Sequence, residues 1–289
     1  MMTLSDVSLL TQMSWERVKA IVKTHLEKDF THIRLKELAY LAIDEIYVGK
    51  RQRFYTLVID LESGRIVWIG KGRGAACLQG FWRKLRASHA RIQAVATDMS
   101  AAYWSAVLHN LPQAALVFDR FHIAKLANEK IDELRRALVR EADLLQKPVI
   151  KGVRYLLLSR KAHLQPAQLP ALEEALKFNE PLSKAYYLKE ELAQLWEQPS
   201  YHWMKFFLQD WCRRALESGI VQMISLAKTL HAHARGILNY WRHPITTAKM
   251  EGTNNKIKTL TRKAYGYRDE SFFMLKLFSL HNARYKLIG

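Results

Sequence analysis

YLAIDEIYV, residues 40–48, is an apolar run with a pair of carboxylates, Asp44 and Glu45, set into its middle. Leu41, Ile43, Ile46, Tyr47 and Val48 favour a strand, a setting from which acidic residues are usually excluded. Side chains alternate between the two faces of a strand, so Asp44 and Glu45 point opposite ways and only one of them can serve a given site. Taken alone, the pair also reads as edge-strand charge that discourages aggregation.

The strand pattern continues outward. RFYTLVID (53–60) and RIVWIG (65–70) follow across Gly49-Lys50-Arg51-Gln52 and Leu61-Glu62-Ser63-Gly64, connections short enough only for antiparallel neighbours. Asp60 beside the second connection reads as turn chemistry. The chain then alternates: a helix near 75–89, a strand at 92–97, a helix at 100–111, a strand at 115–118 and a helix from Arg120. Strands separated by helices pair in parallel through right-handed crossovers. A three-strand antiparallel meander extended by two parallel strands is the α/β mixed sheet of the RNase H-like fold.

The remainder divides around this core. Residues 1–38 read as helical, with two short helices resembling a helix-turn-helix. Ser14 is placed to cap the second and Glu16 lies in its first turn, while Arg17 stands where a capping box wants Glu or Gln. Residues 39–146 form the first part of the core, 147–240 an all-helical insertion, and 241–289 helices that return to the core. The aromatics of YHWMKFFLQDWC (201–212) read as the core of the insertion rather than as a base-stacking platform.

Composition narrows the function. The 289 residues are 49% hydrophobic, enough for a substantial core, and 45 Lys and Arg against 27 Asp and Glu leave a formal net charge of +18. An excess of that size favours a polyanion, with nucleic acid ahead of an anionic membrane surface. Two cysteines, Cys77 and Cys212, offer neither a disulfide framework nor a cysteine-rich zinc site. With no signal-peptide layout and no apolar run of about 18 residues, the expectation is a cytoplasmic protein in contact with DNA.

Three further acidic positions carry candidate chemistry. Asp98 lies between IQAVAT and MSAAYWSAVL, at the carboxyl end of a strand where ligands of α/β sheets gather, and equally where a helix is capped. Asp119 repeats the arrangement in ALVFDRFHIAKL, where capping is favoured for the aspartate and a structural hydrogen bond for His122. Glu251 opens a helical pattern in which Glu251, Asn254, Asn255, Lys258 and Arg262 share one stripe and Met250, Ile257, Leu260 and Ala264 another. A polar stripe is usually a solvated face, but paired asparagines are poor helix formers and ask for another reason.

Together these segments resemble a known family. IDEIYVGKRQRFYTLVIDLESGRIVWIGKGR, ATDMSAAYWSAV, LVFDRFHIAKLANEKIDELRR and ARGILNYWRHPITTAKMEGTNNKIKTLTRKAYGYR resemble, in the same order, the transposases of the ISL-three group of bacterial insertion sequences. The resemblance runs from about Ser14 to the C-terminus. It implies an RNase H-like core whose acidic triad matches Asp44, Asp98 and Glu251, holding Mg or Mn, as two ions, for DNA cleavage and strand transfer. Carboxylates suffice for such hard cations, with no His or Cys required. It further implies double-stranded DNA as partner, a homo-oligomer on that DNA, no membrane, and a place at the bacterial nucleoid. Asn254, Asn255, Lys258 and Arg262 are the expected DNA contacts, Asp119 and His122 candidate accessories, and Glu45 is expected to be idle. Relatives carry a cysteine-rich zinc-binding region ahead of the helix-turn-helix, which is not expected in this chain; the alternative is therefore a truncated, catalytically silent transposase that binds DNA or pairs with a full-length copy.

The charge generates the first prediction. Affinity for non-specific duplex DNA should fall by orders of magnitude between about 50 and 200 mM salt, as counterion release requires. Fluorescence anisotropy across that range would read it, and a nearly flat response would point to a partner other than DNA.

Overall fold

The computed structural model describes residues 2–48 and 53–281; residues 1, 49–52 and 282–289, which include the expected connection between the first two strands, lie outside the described residues. Strand β1 (Tyr40–Val48) pairs antiparallel with β2 (Arg53–Asp60), and β2 antiparallel with β3 (Ile66–Lys71). On its other side β1 runs parallel to β4 (Ala94–Thr97), and β5 (Ala115–Phe118) completes the order β3-β2-β1-β4-β5. This is the mixed sheet of the RNase H-like fold that the strand pattern predicts. Because β1 is hydrogen-bonded on both sides, Asp44 and Glu45 belong to a central strand, which removes edge protection as their role. Asp60 does serve the turn: its carboxylate accepts from the amides of Glu62 and Ser63, both at 3.1 Å, and from the Ser63 hydroxyl.

Two helices precede the sheet. α1 (Leu4–Thr11) opens with a reciprocal cap in which the Thr3 hydroxyl accepts from Asp6 N and Thr3 N donates to the Asp6 carboxylate. α2 (Trp15–Phe30) is capped by Ser14 and buries Val18 and Leu26. α3 (Gln79–Ser88) and α4 (Ala101–Asn110) lie in sequence on either side of β4, the first entered through a 3-10 turn at Ala75–Leu78.

The chain divides into two units, Met1–Val117 with Ile245–Gly289, and Phe118–Pro244. The second is helical: α5 (Arg120–Glu141), α6 (Gln146–Gly152), α7 (Arg154–Leu158), α8 (Leu169–Phe178), α9 (Glu180–Leu192), α10 (Tyr201–Glu217), α11 (Val221–Ala232) and α12 (Ala234–Leu238). α5 packs on α6, α7, α9 and α11. At its centre Trp211 is fully buried, and its indole N–H donates to Leu188 O at 2.8 Å. The expected aromatic core is only half realised. One stripe of α10, with Met204, Leu208, Trp211 and Cys212, faces inward, whereas Tyr201, Trp203 and Phe206 are exposed on its other side.

In the first unit the chain returns as α13 (Ala248–Lys263) and α14 (Glu270–Phe278). Ala42, Ile46, Tyr55, Leu57, Ile59 and Ala96 from the sheet form one core cluster with Met250, Ile257, Phe273 and Leu277 from these helices. Asp269 ties α2 to this assembly. It caps α14 by accepting from Phe272 N at 3.0 Å, and it pairs with Lys19 at 2.9 Å and Lys23 at 3.4 Å. The Lys19 hydrogen bond first, and then the Phe272 amide, hold its carboxyl well below the usual carboxylate range.

A carboxyl with a lowered folded pKa contributes stability that is complete above its ordinary value of 3.8 and is lost as pH falls through the folded one. Asp269→Asn keeps the cap and loses the lysine pairs, whereas Asp269→Ala loses both and should cost about 1 kcal/mol more. Urea unfolding at pH 7 and pH 3 should show wild type losing more stability on acidification than the Asn variant. Equal losses would remove the lysine pairs from the account.

Candidate active site

In the parallel pairing of β1 with β4, Tyr40 lies opposite Ala94, Leu41 opposite Val95 and Ala42 opposite Ala96. The same offset carried two residues further sets Asp98 level with Asp44. Neighbouring strands lie about 4.8 Å apart and residues in register point to the same face; the pairing itself ends at Ala42 and Ala96, and Asp98 stands one residue past the end of β4. Ala42 and Ile46, which share the Asp44 face, both lie in the cluster with Met250 and Ile257. Asp44 therefore faces α13. Its Oδ2 accepts from Asn254 Nδ2 at 3.0 Å and its Oδ1 from Glu45 N at 2.8 Å.

Asp98 is half-buried, and its Oδ1 accepts from Ser100 N at 3.0 Å. That bond turns the chain into α4, for which Ser100 itself occupies the N-cap position. The turn role and a ligand role are compatible, because a carboxylate has acceptor sites beyond the one the amide uses.

α13 is held in place along one side. Lys249 Nζ donates to Leu61 O at 2.6 Å and Glu62 O at 2.9 Å, and the Thr253 hydroxyl donates to Lys249 O at 2.8 Å and meets His281 Nε2 at 3.3 Å. Glu251 is exposed in the first turn, one turn before Asn254, a spacing that puts their Cβ atoms about 5–6 Å apart. Asn255, Lys258 and Arg262 are exposed on the same helix. Among the described residues no three His, Cys, Asp or Glu side chains stand close enough together to hold a metal ion. The structure thus brings Asn254 onto Asp44, sets Asp98 directly after β4, and leaves Glu251 one turn before Asn254.

The donor set is nevertheless of the right kind for a hard cation. Asn254 Oδ1 is buried with no hydrogen-bond partner in the protein, while the amide nitrogen is committed to Asp44. Reversing the amide would set its oxygen against the carboxylate, so the orientation follows from charge. Two aspartates and an unsatisfied amide oxygen are oxygen donors such as Mg²⁺ and Mn²⁺ take.

Glu45 faces away from α13 and is not idle. It accepts from the Tyr103 hydroxyl, which also meets Thr56 Oγ1 at 3.1 Å and accepts from Gly74 N at 3.0 Å. Arg73 Nε lies 3.7 Å from the Glu45 carboxylate, and its guanidinium stacks on Phe54. Burial, and then the bond to Glu45, push the Tyr103 phenol well above its usual range. Tyr103 sits in the first turn of α4, directly after the Asp98 turn, so Glu45 anchors the helix that Asp98 starts. The signal for this partnership in the sequence is slight: a tyrosine in the first turn of the helix that follows Asp98.

Asp119 and His122 belong to the second unit. Asp119 is buried and takes the N-cap position of α5 without a side-chain cap hydrogen bond. His122 is half-buried and makes an edge contact with Phe121, ring centroids 5.7 Å apart.

Comparisons with known proteins bear on this geometry. A model of the ISL-three family, described as transposase, matches residues 41–277. The chain is 36% identical over 275 residues to the transposase for insertion sequence element IS1001 of Bordetella parapertussis, covering 94% of this chain and 68% of that protein. It is 29% identical over 308 residues to the transposase for insertion sequence element IS1557 of Mycobacterium tuberculosis, covering 97% and 69%. A solved structure of the Drosophila P element transposase strand transfer complex aligns at TM-score 0.43 and 10% identity over 97% of this chain and 92% of that one.

The Asn254 contact generates a prediction. Asn254→Asp replaces a donor to Asp44 with a like charge, which raises the pKa of one carboxyl and destabilises the fold wherever both are ionised. The melting temperature should fall at pH 7 and recover towards wild type near pH 4, or at pH 7 on adding Mn²⁺. Asn254→Ala should cost about 1–2 kcal/mol with no such recovery. An Asp variant as stable as wild type at pH 7 would dissolve the contact.

Proposed function

We propose that this chain, which belongs to the ISL-three family of insertion-sequence transposases, cleaves DNA at the ends of its element and transfers the freed strand into target DNA. The observation that carries the reading is the Asn254–Asp44 bond, which ties the helix of Glu251 to β1, the strand paired in parallel with the β4 that Asp98 directly follows. Asp44, Asp98 and Glu251 form the acidic triad, and Glu251 joins the aspartates by a side-chain rotation from its exposed position in the first turn. When bound there, a pair of Mg²⁺ or Mn²⁺ ions would polarise the scissile phosphate and acidify the attacking water or 3′-hydroxyl.

The chain's own residues do the rest. Asn254 orients the Asp44 carboxylate, and its neutral amide holds that position without adding a further negative charge. Asn255, Lys258 and Arg262 grip the phosphate backbone of double-stranded DNA along the exposed stripe of α13. The net charge of +18 draws the duplex in, and holding two element ends for joining asks for a homo-oligomer on DNA. Among the described residues no helix is long and apolar enough to cross a membrane. The working place we propose is the bacterial nucleoid.

The decisive variant is Asp98→Asn, because the Asn oxygen can still accept from Ser100 N and leave the turn intact. With labelled element-end DNA and Mg²⁺, nicked and joined products should fall together by more than the roughly 100-fold that loss of a supporting contact costs. DNA binding should persist, and the rise in melting temperature on adding Mn²⁺ should be lost. A variant as active as wild type would end the triad assignment, and a wild-type protein that binds DNA without cutting it would favour the silent alternative.

A further inference from the structure

α13 ends in a cap that glycine would form with less strain. Ala264 is the C-cap, and Tyr265 follows in left-handed backbone with φ 51°, its N–H donating to Arg262 O at 3.1 Å. Gly266, at φ 98°, donates to Thr261 O at 3.0 Å. The first left-handed position after a helix is ordinarily glycine, and a bulky side chain there is strained. Burial does not compensate. Tyr265 is 102% exposed, the most exposed aromatic side chain among the described residues. Tyr267, two residues on, turns the other way: its ring lies 4.8 Å from that of Phe273, and burial pushes its phenol up to about 12.

The charge around Tyr265 identifies a partner class. Between Glu251 and Asp269 the chain carries Lys256, Lys258, Arg262, Lys263 and Arg268, all exposed, and no acidic residue. A ligand that meets cations and a bare aromatic face together must present anionic groups and a planar apolar face. Nucleic acid does so at every nucleotide. A lipid surface would ask for more apolar area than one tyrosine flanked by Ala264 and Gly266, and an acidic peptide lacks the planar face.

We propose that Tyr265 is a base-stacking residue of this protein, its ring lying against a nucleobase exposed in single-stranded or distorted DNA while the cations of α13 hold the backbone. The proposal rests on the transposase reading. It also sets a place: at 1.5 Å per residue, Tyr265 stands about 20 Å along the helix from Glu251. That is about six nucleotide steps at 3.4 Å each.

The test uses the full chain and single-stranded oligonucleotides across a salt series. Tyr265→Ala should weaken binding about tenfold at every salt concentration and leave the slope of log affinity against log salt unchanged, because stacking releases no counterions. Tyr265→Phe should bind like wild type, and Tyr265→Trp should show indole fluorescence quenching on titration. Tyr265→Gly should lose affinity as the Ala variant does while melting no lower than wild type, which separates the ring from the fold. Lys258→Ala, by contrast, should reduce the slope. If wild type binds DNA and the Ala variant binds equally well, the stacking role is overturned while the function stands. If the Ala variant instead changes oligomer mass in sedimentation at unchanged DNA affinity, the ring is a protein contact and the proposal falls. If wild type binds no DNA, the functional reading falls with it.

Discussion

The parallel register between β1 and β4 is the constraint on which the site depends. With Ala42 opposite Ala96, the backbone hydrogen bonds fix β4, and with it the point at which the Asp98 turn begins, against β1. A slip of one residue would turn Asp98 to the other face and into the surroundings of Glu45 and Tyr103. The register is protected by burial on both faces. Leu41 and Ile43 are fully buried on one side, and Ala42 and Ile46 are buried against α13 and α14 on the other. The small side chains of Ala42 and Ala96 let α13 approach closely enough for the Asn254 amide to reach the Asp44 carboxylate.

α13 is where the chain, after 127 residues of helical unit at 118–244, delivers its contribution to the sheet. Its position is over-determined. Met250 and Ile257 are buried, Lys249 reaches two carbonyls of the turn after β2, and Thr253 meets His281. Burial first, and then the nearby cations Lys256 and Arg65, lower the His281 pKa, so the ring stays neutral beside Thr253 near pH 7. Each of these contacts lies on the side of the helix away from the exposed stripe of Asn255, Lys258 and Arg262, so the stripe is presented by a rigid element.

The electrostatic design joins opposites. Asp44 and Asp98 belong to a protein whose net charge is +18, and between Glu251 and Asp269 the charged residues of the chain are all cations. The exposed cations of α13, Lys256, Lys258, Arg262 and Lys263, supply attraction to phosphate. Glu45 shows the contrasting fate of a carboxylate on the other face, committed to Tyr103 and Arg73 as structure.

Much of this is written locally. The meander, the alternation of strands with helices, the Asp60 turn and the apolar stripe of Met250 and Ile257 all follow from the period of side chains along strand and helix, which any short window reveals. The ISL-three resemblance is likewise carried by contiguous motifs. Periodicity also shows that Asp44 and Glu45 face opposite ways, but it is blind to what covers each face. Only the tertiary structure sets α13 on the Asp44 side and Tyr103 on the Glu45 side, turns Asn254 from a surface polar residue into the partner of Asp44, and leaves Trp203 and Phe206 exposed. Those outcomes depend on contacts between residues far apart in the chain, such as Asp44 with Asn254, and no local propensity records which of two polar faces will meet another element and which will meet water.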